Sequence, residues 1–245
     1  MVPGDPPSGV PVRGEALSDP IDSADTPSTA LLLGATGLVG GHVLDLLLAD
    51  PAYRRVTVLT RRPLARMDSK LDQRTADFDR LRDHEISFAV DDVYCCLGTT
   101  IAQAGSQDAF RRVDHDYVVE AARLASQHGG RRFLLVSAAG ANAKSRIFYN
   151  RVKGEAEDAV LALPLEGGAI LRPSLLLGER AGHRAGESMA QRIMPAMGWM
   201  LVGPLRRYRA IEASTVARAM VRLAKQRTRG VRVLESDEIQ RIGGA

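Results

Sequence analysis

The sequence predicts an α/β fold, a doubly wound parallel sheet with helices on both faces and a small, less regular C-terminal part. Three observations predict it. Short apolar runs alternate with longer segments whose apolar residues recur at helical spacing, from Thr29 to Leu171. A glycine-rich turn joins the first apolar run to the first helical segment. The chain has 245 residues, 45% of them hydrophobic and 25% charged, which suits one α/β domain with a substantial core.

The elements follow in order. Ala30-Leu-Leu-Leu33 is a short buried strand. Leu38 to Ala49 is apolar on one face and stops before Asp50-Pro51, so it reads as a helix. Val56 to Thr60 is a second strand, and a weaker third precedes Asp77-Phe78. Val93-Tyr-Cys-Cys-Leu97 is the fourth. Ser106 to Gln127 is one long helix, ended by Gly129-Gly130. Arg132 to Val136 is the fifth strand, Ser145 to Leu163 a helix, and Ala169-Ile-Leu171 the sixth strand. Ser214 to Lys225 is an amphipathic helix with Ser214 as its N-cap, and Val231 to Leu234 a late strand.

Residues 1–28 form a separate tail. They hold six of the twelve prolines, five acids against one arginine, and no periodicity, so they read as disordered. The tail is too acidic and proline-rich for a mitochondrial transit peptide and has no apolar core for a secretion signal. Residues 29–245 are then a single domain, with 187–245 as a small lid or substrate part. Within it, Met189, Ile193, Met197 and Met200 share a helical face, interrupted by Pro195, and suit a substrate cover or partner surface. Arg206, Arg207 and Arg209 follow and favour an anionic substrate or partner.

Composition excludes several classes. The net charge is +4, but the arginines are scattered and aromatics are only 4%, so no nucleic-acid platform is expected. No apolar run approaches the roughly 20 residues of a membrane span. Cys95 and Cys96 are adjacent, and neighbours on a strand point to opposite faces, so they read as buried residues without a disulfide. The five histidines form no ligand-spaced pair, so no catalytic metal is expected. Together these features predict a cytoplasmic protein.

The turn Gly34-Ala-Thr-Gly37-Leu-Val-Gly40 has the context of a phosphate loop. The first glycine permits a tight turn, the second lets backbone approach a pyrophosphate, and the third lets helix and sheet pack closely. The helix N-terminus offers free N–H groups to phosphate oxygens. Gly34, Thr36, Gly37, Leu38, Val39 and Gly40 are therefore candidate cofactor-binding residues. The second strand ends in Thr60-Arg61-Arg62. A dinucleotide without a 2′-phosphate is usually gripped by an acid there, whereas guanidinium groups suit the phosphate. Arg61 and Arg62 point to NADP(H), with NAD(H) less favoured.

Tyr149-Asn-Arg-Val-Lys153 places a phenol and an ammonium on one helix face, and Ser137 follows the fifth strand. The three can converge on an oxygen and move its proton. A phenol titrates near 10 and is a poor base at neutral pH, but a neighbouring ammonium favours its ionised form.

The glycine loop, Ser137 and Tyr149-x-x-x-Lys153, in this order, resemble the short-chain dehydrogenase/reductase family, whose core is a Rossmann-type sheet. Asp77-Phe78, Cys95-Cys-Leu-Gly-Thr-Thr100, Val113-Asp-His-Asp-Tyr117, Gly140-Ala-Asn-Ala-Lys-Ser145, Val152-Lys-Gly-Glu155 and Leu171-Arg-Pro173 are similar to its atypical branch, that of the Tat-interacting oxidoreductase-like proteins. The resemblance implies that Asp77 and Phe78 lie near the adenine, that Leu97, Gly98 and Thr99 line the cofactor, and that Arg172 and Pro173 pass the nicotinamide end. It implies Tyr149 as acid/base, Lys153 on the ribose hydroxyls and Ser137 on the substrate oxygen. Many members have an asparagine where this chain has Asp114, whose carboxylate could accept from a water, pair with Lys153 or hold Lys153 off the ribose. The expected function is NADP(H)-dependent hydride transfer on a small carbonyl or alcohol, by a monomer or homodimer. The alternative is an NADP(H)-binding regulatory or assembly protein with little turnover. A nucleotide-sugar epimerase is disfavoured by the short C-terminal part.

Overall fold

The structure, a computed structural model, describes residues 27–178 and 209–244. The tail as far as Thr26, the methionine-rich stretch 187–202, Arg206 and Arg207 lie outside them. Seven parallel strands form one sheet: β1 (Ser28–Leu33), β2 (Tyr53–Thr60), β3 (Leu71–Thr75), β4 (Asp92–Cys95), β5 (Arg132–Val136), β6 (Gly167–Arg172) and β9 (Gly230–Glu235). Their order is β3-β2-β1-β4-β5-β6-β9. Two short strands, β7 (Leu176–Leu177) and β8 (Ile211–Glu212), pair separately. The Rossmann-type reading holds, and β1 begins one residue inside the expected tail.

The period of two in β1 shows why helices flank both sides. Ala30 and Leu32 pack with α1 (Leu38–Ala49), α6 (Ala213–Lys225) and α7 (Ser236–Gly244). Leu31 and Leu33 pack on the opposite face with Phe78, Leu81 and Phe88 and with α4 (Tyr117–Gln127). Each fully buried leucine stabilises the fold by roughly 1.5–3 kcal/mol relative to exposure. At the amino ends of the strands, Tyr53 Oη bonds Asp92 Oδ2 and Tyr94 Oη at 2.7 Å each, and Arg132 pairs with Asp92. This buried polar network lies away from the carboxyl ends, where the loops of interest leave the sheet.

Several expectations are corrected. Ser214 is not a cap: α6 starts at Ala213 after Glu212, and no side chain caps it. The helix expected from Ser106 to Gln127 is present and continuous, but it contains a π turn: α3 (Gln107–Arg111) passes through Arg112–Asp116 into α4, with Ser106 accepting from Ala109 N–H as its cap. A short α2 (Ile101–Ala104) precedes them. The next helix, α5, runs from Phe148 to Leu161 rather than from Ser145. The 3₁₀ segment Phe78–Phe88 and α7 were not foreseen.

Candidate functional site

The sheet order reverses between β1 and β4, and a crevice for a ligand opens at such a switch point. The backbone there is tightly packed. Gly34 has φ +85°, and a Cβ on it would overlap the Cys96 carbonyl. A Cβ on Gly40 would overlap the Gly34 carbonyl, so α1 lies directly on the turn. Gly37 is the N-cap of α1, without a side-chain hydrogen bond to the helix. A Cβ there would stand 3.2 Å from the Gly34 carbonyl oxygen. The turn is therefore built on Gly34 and Gly40, and the N-terminus of α1 has no side-chain cap to displace. Thr36 is exposed, Leu38 half-buried and Val39 buried.

β4 leads into Leu97, Gly98 and Thr99. Thr99 N–H donates to Asp114 Oδ2 at 2.9 Å, and Asp114 Oδ1 pairs with Lys153 Nζ at 2.8 Å. Asp114 is 1% exposed and Lys153 5%. A Cβ on Gly98 would meet Asp114 Oδ1 at 3.4 Å and Lys153 Nζ at 3.6 Å, so the ion pair lies against the β4 exit. Burial opposes charge on Lys153, yet Asp114 and Tyr149 outweigh it and raise the lysine above its ordinary range. Burial likewise raises the Asp114 carboxyl, against the pull of Lys153 and Thr99 N–H.

Tyr149 is half-buried, its ring 5.3 Å from that of Phe110 on α3, and its phenol acts electrostatically on Lys153 one turn away. The loop carrying Ser137 is bound to its neighbours. Ser137 N–H donates to Leu171 O at 2.7 Å, Ala139 N–H to Pro173 O at 2.9 Å, and Asn142 N–H to Asn150 O at 2.9 Å. Gly154 allows this approach, since a Cβ there would overlap the backbone of Asn142 and Ala143. Ser137 is 7% exposed and its Oγ has no hydrogen-bond partner among the described residues, an uncommon state for a buried hydroxyl. An unpartnered hydroxyl, a buried ammonium and an uncapped helix terminus fit a dinucleotide with a polar substrate.

The other expected residues lie as follows. Arg61 and Arg62 are exposed at the end of β2. Asp77 caps the 3₁₀ segment by accepting from Asp79 N–H at 3.1 Å, while the Phe78 ring is buried 5.7 Å from that of Tyr117. The Arg172 guanidinium is engaged by Glu157 Oε1 and Oε2 at 3.1 and 3.0 Å and by Glu235 Oε1 at 3.0 Å. It ties α5 to β6 and β9, so only the backbone and Pro173 are left to border a ligand. Glu157 and Phe110 were missed by sequence reasoning. Glu157 falls four residues after Lys153 on the same helix face, a spacing that could have found it. Arg209 is half-buried, and its carbonyl accepts from Ser174 Oγ.

Comparison with known proteins agrees with this fold. A family model described as NAD(P)H-binding matches residues 34–188. The protein fmp-52, mitochondrial, of Neurospora crassa is 34% identical over 90% of this chain and 97% of its own length. FMP52, mitochondrial, of Candida albicans is 37% identical over 88% and 95%, and rat HTATIP2 33% identical over 88% and 89%. Among solved structures, MoeE5 in complex with UDP-glucose and NAD has a TM-score of 0.64 at 17% identity, covering 88% of this chain and 81% of that one. The UDP-glucose 4-epimerase of Thermotoga maritima has a TM-score of 0.62 at 15% identity, covering 88% and 82%. These structures share the fold. The fungal relatives overturn the expectation of a cytoplasmic protein, since those matched along nearly their whole length are named mitochondrial. With its glycine turn at the switch point of a seven-stranded parallel sheet, the chain belongs to the NAD(P)H-binding family, as an atypical short-chain dehydrogenase/reductase related to HTATIP2 and FMP52.

Proposed function

We propose that the protein is an NADP(H)-dependent oxidoreductase acting on a small carbonyl or alcohol substrate, with Ser137, Tyr149 and Lys153 as its catalytic residues. The observation that carries this reading is the Lys153 ammonium, buried at the β4 exit and electrostatically coupled to Tyr149. The bound cofactor supplies or accepts the hydride. Tyr149 Oη gives a proton to the substrate oxygen in reduction and takes it in oxidation. Ser137 Oγ, without a partner among the described residues, donates to the same oxygen and fixes its position. Lys153 holds the ribose hydroxyls and keeps positive charge beside the phenol. Gly34, Gly37 and the N-terminus of α1 receive the pyrophosphate, and Leu97, Gly98 and Thr99 border the cofactor. Arg61 and Arg62, exposed where an NAD-specific site usually has an acid, receive the 2′-phosphate.

NADPH oxidation against a panel of carbonyl compounds tests the reading. Tyr149→Phe should lower kcat/KM by about 10²–10⁴ while NADPH still binds. Turnover that survives this substitution would sink the mechanism. Replacing Arg61 and Arg62 together by Ala should weaken NADPH by about tenfold or more relative to NADH. An equal loss for both cofactors would refute the 2′-phosphate assignment.

One observation favours a second reading, an NADP(H)-binding regulatory or assembly protein. Lys153, which should grip the ribose, is already engaged by Asp114. Tight NADPH binding with no turnover on any substrate of the panel would favour it.

A further inference from the structure

Asp114 reaches Lys153 because the helix around it is irregular. In the turn Arg112–Asp116, Tyr117 N–H donates to Arg112 O, five residues back rather than four. In a regular helix, residues spaced by four drift around the axis by about 40° per step. The wider turn takes up that drift. Phe110, Asp114 and Val118 consequently all lie in the interior, at 1% exposure or less. A carboxylate is thereby inserted into an apolar line between an aromatic and a valine. Its two oxygens are both engaged, one by the cofactor-lining loop at Thr99 and one by the lysine of α5.

Such a carboxylate competes for the ammonium. A lysine that binds a ribose diol must offer it N–H donors, and here the ammonium is already held in an ion pair with Asp114. We propose that Asp114 is a positioning residue that holds the Lys153 ammonium at the β4 exit, keeps it charged, and must yield it in part when the ribose of NADP(H) binds. This rests on the reading of Lys153 as the ribose-binding residue. The groups facing the ammonium are Asp114 from the π turn, Tyr149 on the same helix and Cys95 from β4. Burial pushes the Cys95 thiol up to about 12, so it stays neutral at ordinary pH. Asp114 is then the one carboxylate of the three, and removing its charge leaves burial to act against the ammonium.

The experiment is a titration of protein labelled with carbon-13 at the lysine ε position. The chain has four lysines, Lys70, Lys144, Lys153 and Lys225, and the Lys153 signal is assigned by its loss in Lys153→Met. Asp114→Asn should lower the Lys153 midpoint by at least about one pH unit. NADPH binding, followed by fluorescence, should tighten about threefold or more near pH 6.5, where the lysine is charged in both proteins, and should fail at lower pH than in wild type. An unchanged midpoint would overturn the clamp, since a merely structural aspartate would lower thermal stability without moving the titration. A lowered midpoint with unchanged or weaker NADPH binding near pH 6.5 would overturn the competition. If Asp114→Asn does not fold, Asp114→Ser keeps an acceptor for Thr99 N–H and takes its place. Neither readout requires turnover, so an absence of enzyme activity leaves the result interpretable. A wild-type protein that does not bind NADPH would refute the cofactor reading, while the lysine midpoint would still report the clamp.

Discussion

At Gly154 the absence of a side chain allows α5 to lie on the Asn142–Ala143 backbone, and that contact ties the helix of Tyr149 and Lys153 to the loop that follows Ser137. Gly154→Ala should therefore destabilise the fold by about 1–3 kcal/mol, as overpacking does. Thermal unfolding checks this, and an unchanged melting temperature would mean that the loop gives way freely. Gly98 offers the contrast, because a methyl there would meet Asp114 and Lys153 at ordinary contact distances of 3.4–3.6 Å. The candidates Ser137, Tyr149 and Lys153 and the loop glycines could be picked from the sequence because they come in short, fixed spacings. The pairing of Asp114 with Lys153 was legible only as one of several possibilities, since the π turn that aims the carboxylate has no local signature. The commitment of Arg172 was not legible at all: its partners lie 15 and 63 residues away, beyond any periodicity.

Among the elements, α1 was the most readable, because a glycine cap begins it and Asp50-Pro51 follows it. β3 was weak because it is a half-exposed edge strand of mixed polarity. The segment Phe78–Phe88 escaped notice because its buried apolar residues, Phe78, Leu81 and Phe88, are few among polar and charged neighbours. α5 is the element on which the site depends most, and Glu157 anchors it. Glu157 is buried and bound by Arg172, which is a quarter exposed. Glu157→Gln should cost about 3 kcal/mol, the low end for breaking a buried pair. Urea unfolding checks this through a lower midpoint at unchanged slope. A loss below about 0.5 kcal/mol would show that Arg172 re-pairs wholly with Glu235.

For the molecule as a whole, the doubly wound topology was legible from alternation alone, and the strand order places the switch point where the glycine turn requires it. The less regular stretch beyond β6 was harder to read, because β7 and β8 are two residues each and, among the described residues, pair only with one another. The site also bears on stability at alkaline pH. The folded state raises Lys153 above its ordinary value of 10.5, so its contribution is fully present below that value. It is lost as pH rises through the folded value, and Asp114→Asn should remove it.

The pairing of β6 with β9 also orders events in time. Arg172 and Glu235 are 63 residues apart, and the strands that bear them are neighbours in the sheet. A ribosome adding about 5–20 residues per second takes roughly 3–13 s to travel between them. During that interval the nascent sheet carries β6 as a bare edge, open to pairing with other chains. Glu157 is already present to bind Arg172, but the second carboxylate arrives only with the last strand. The helix that bears Tyr149 and Lys153 is thus made early and secured late, and the newborn protein passes through a period when that helix lacks its final fastening.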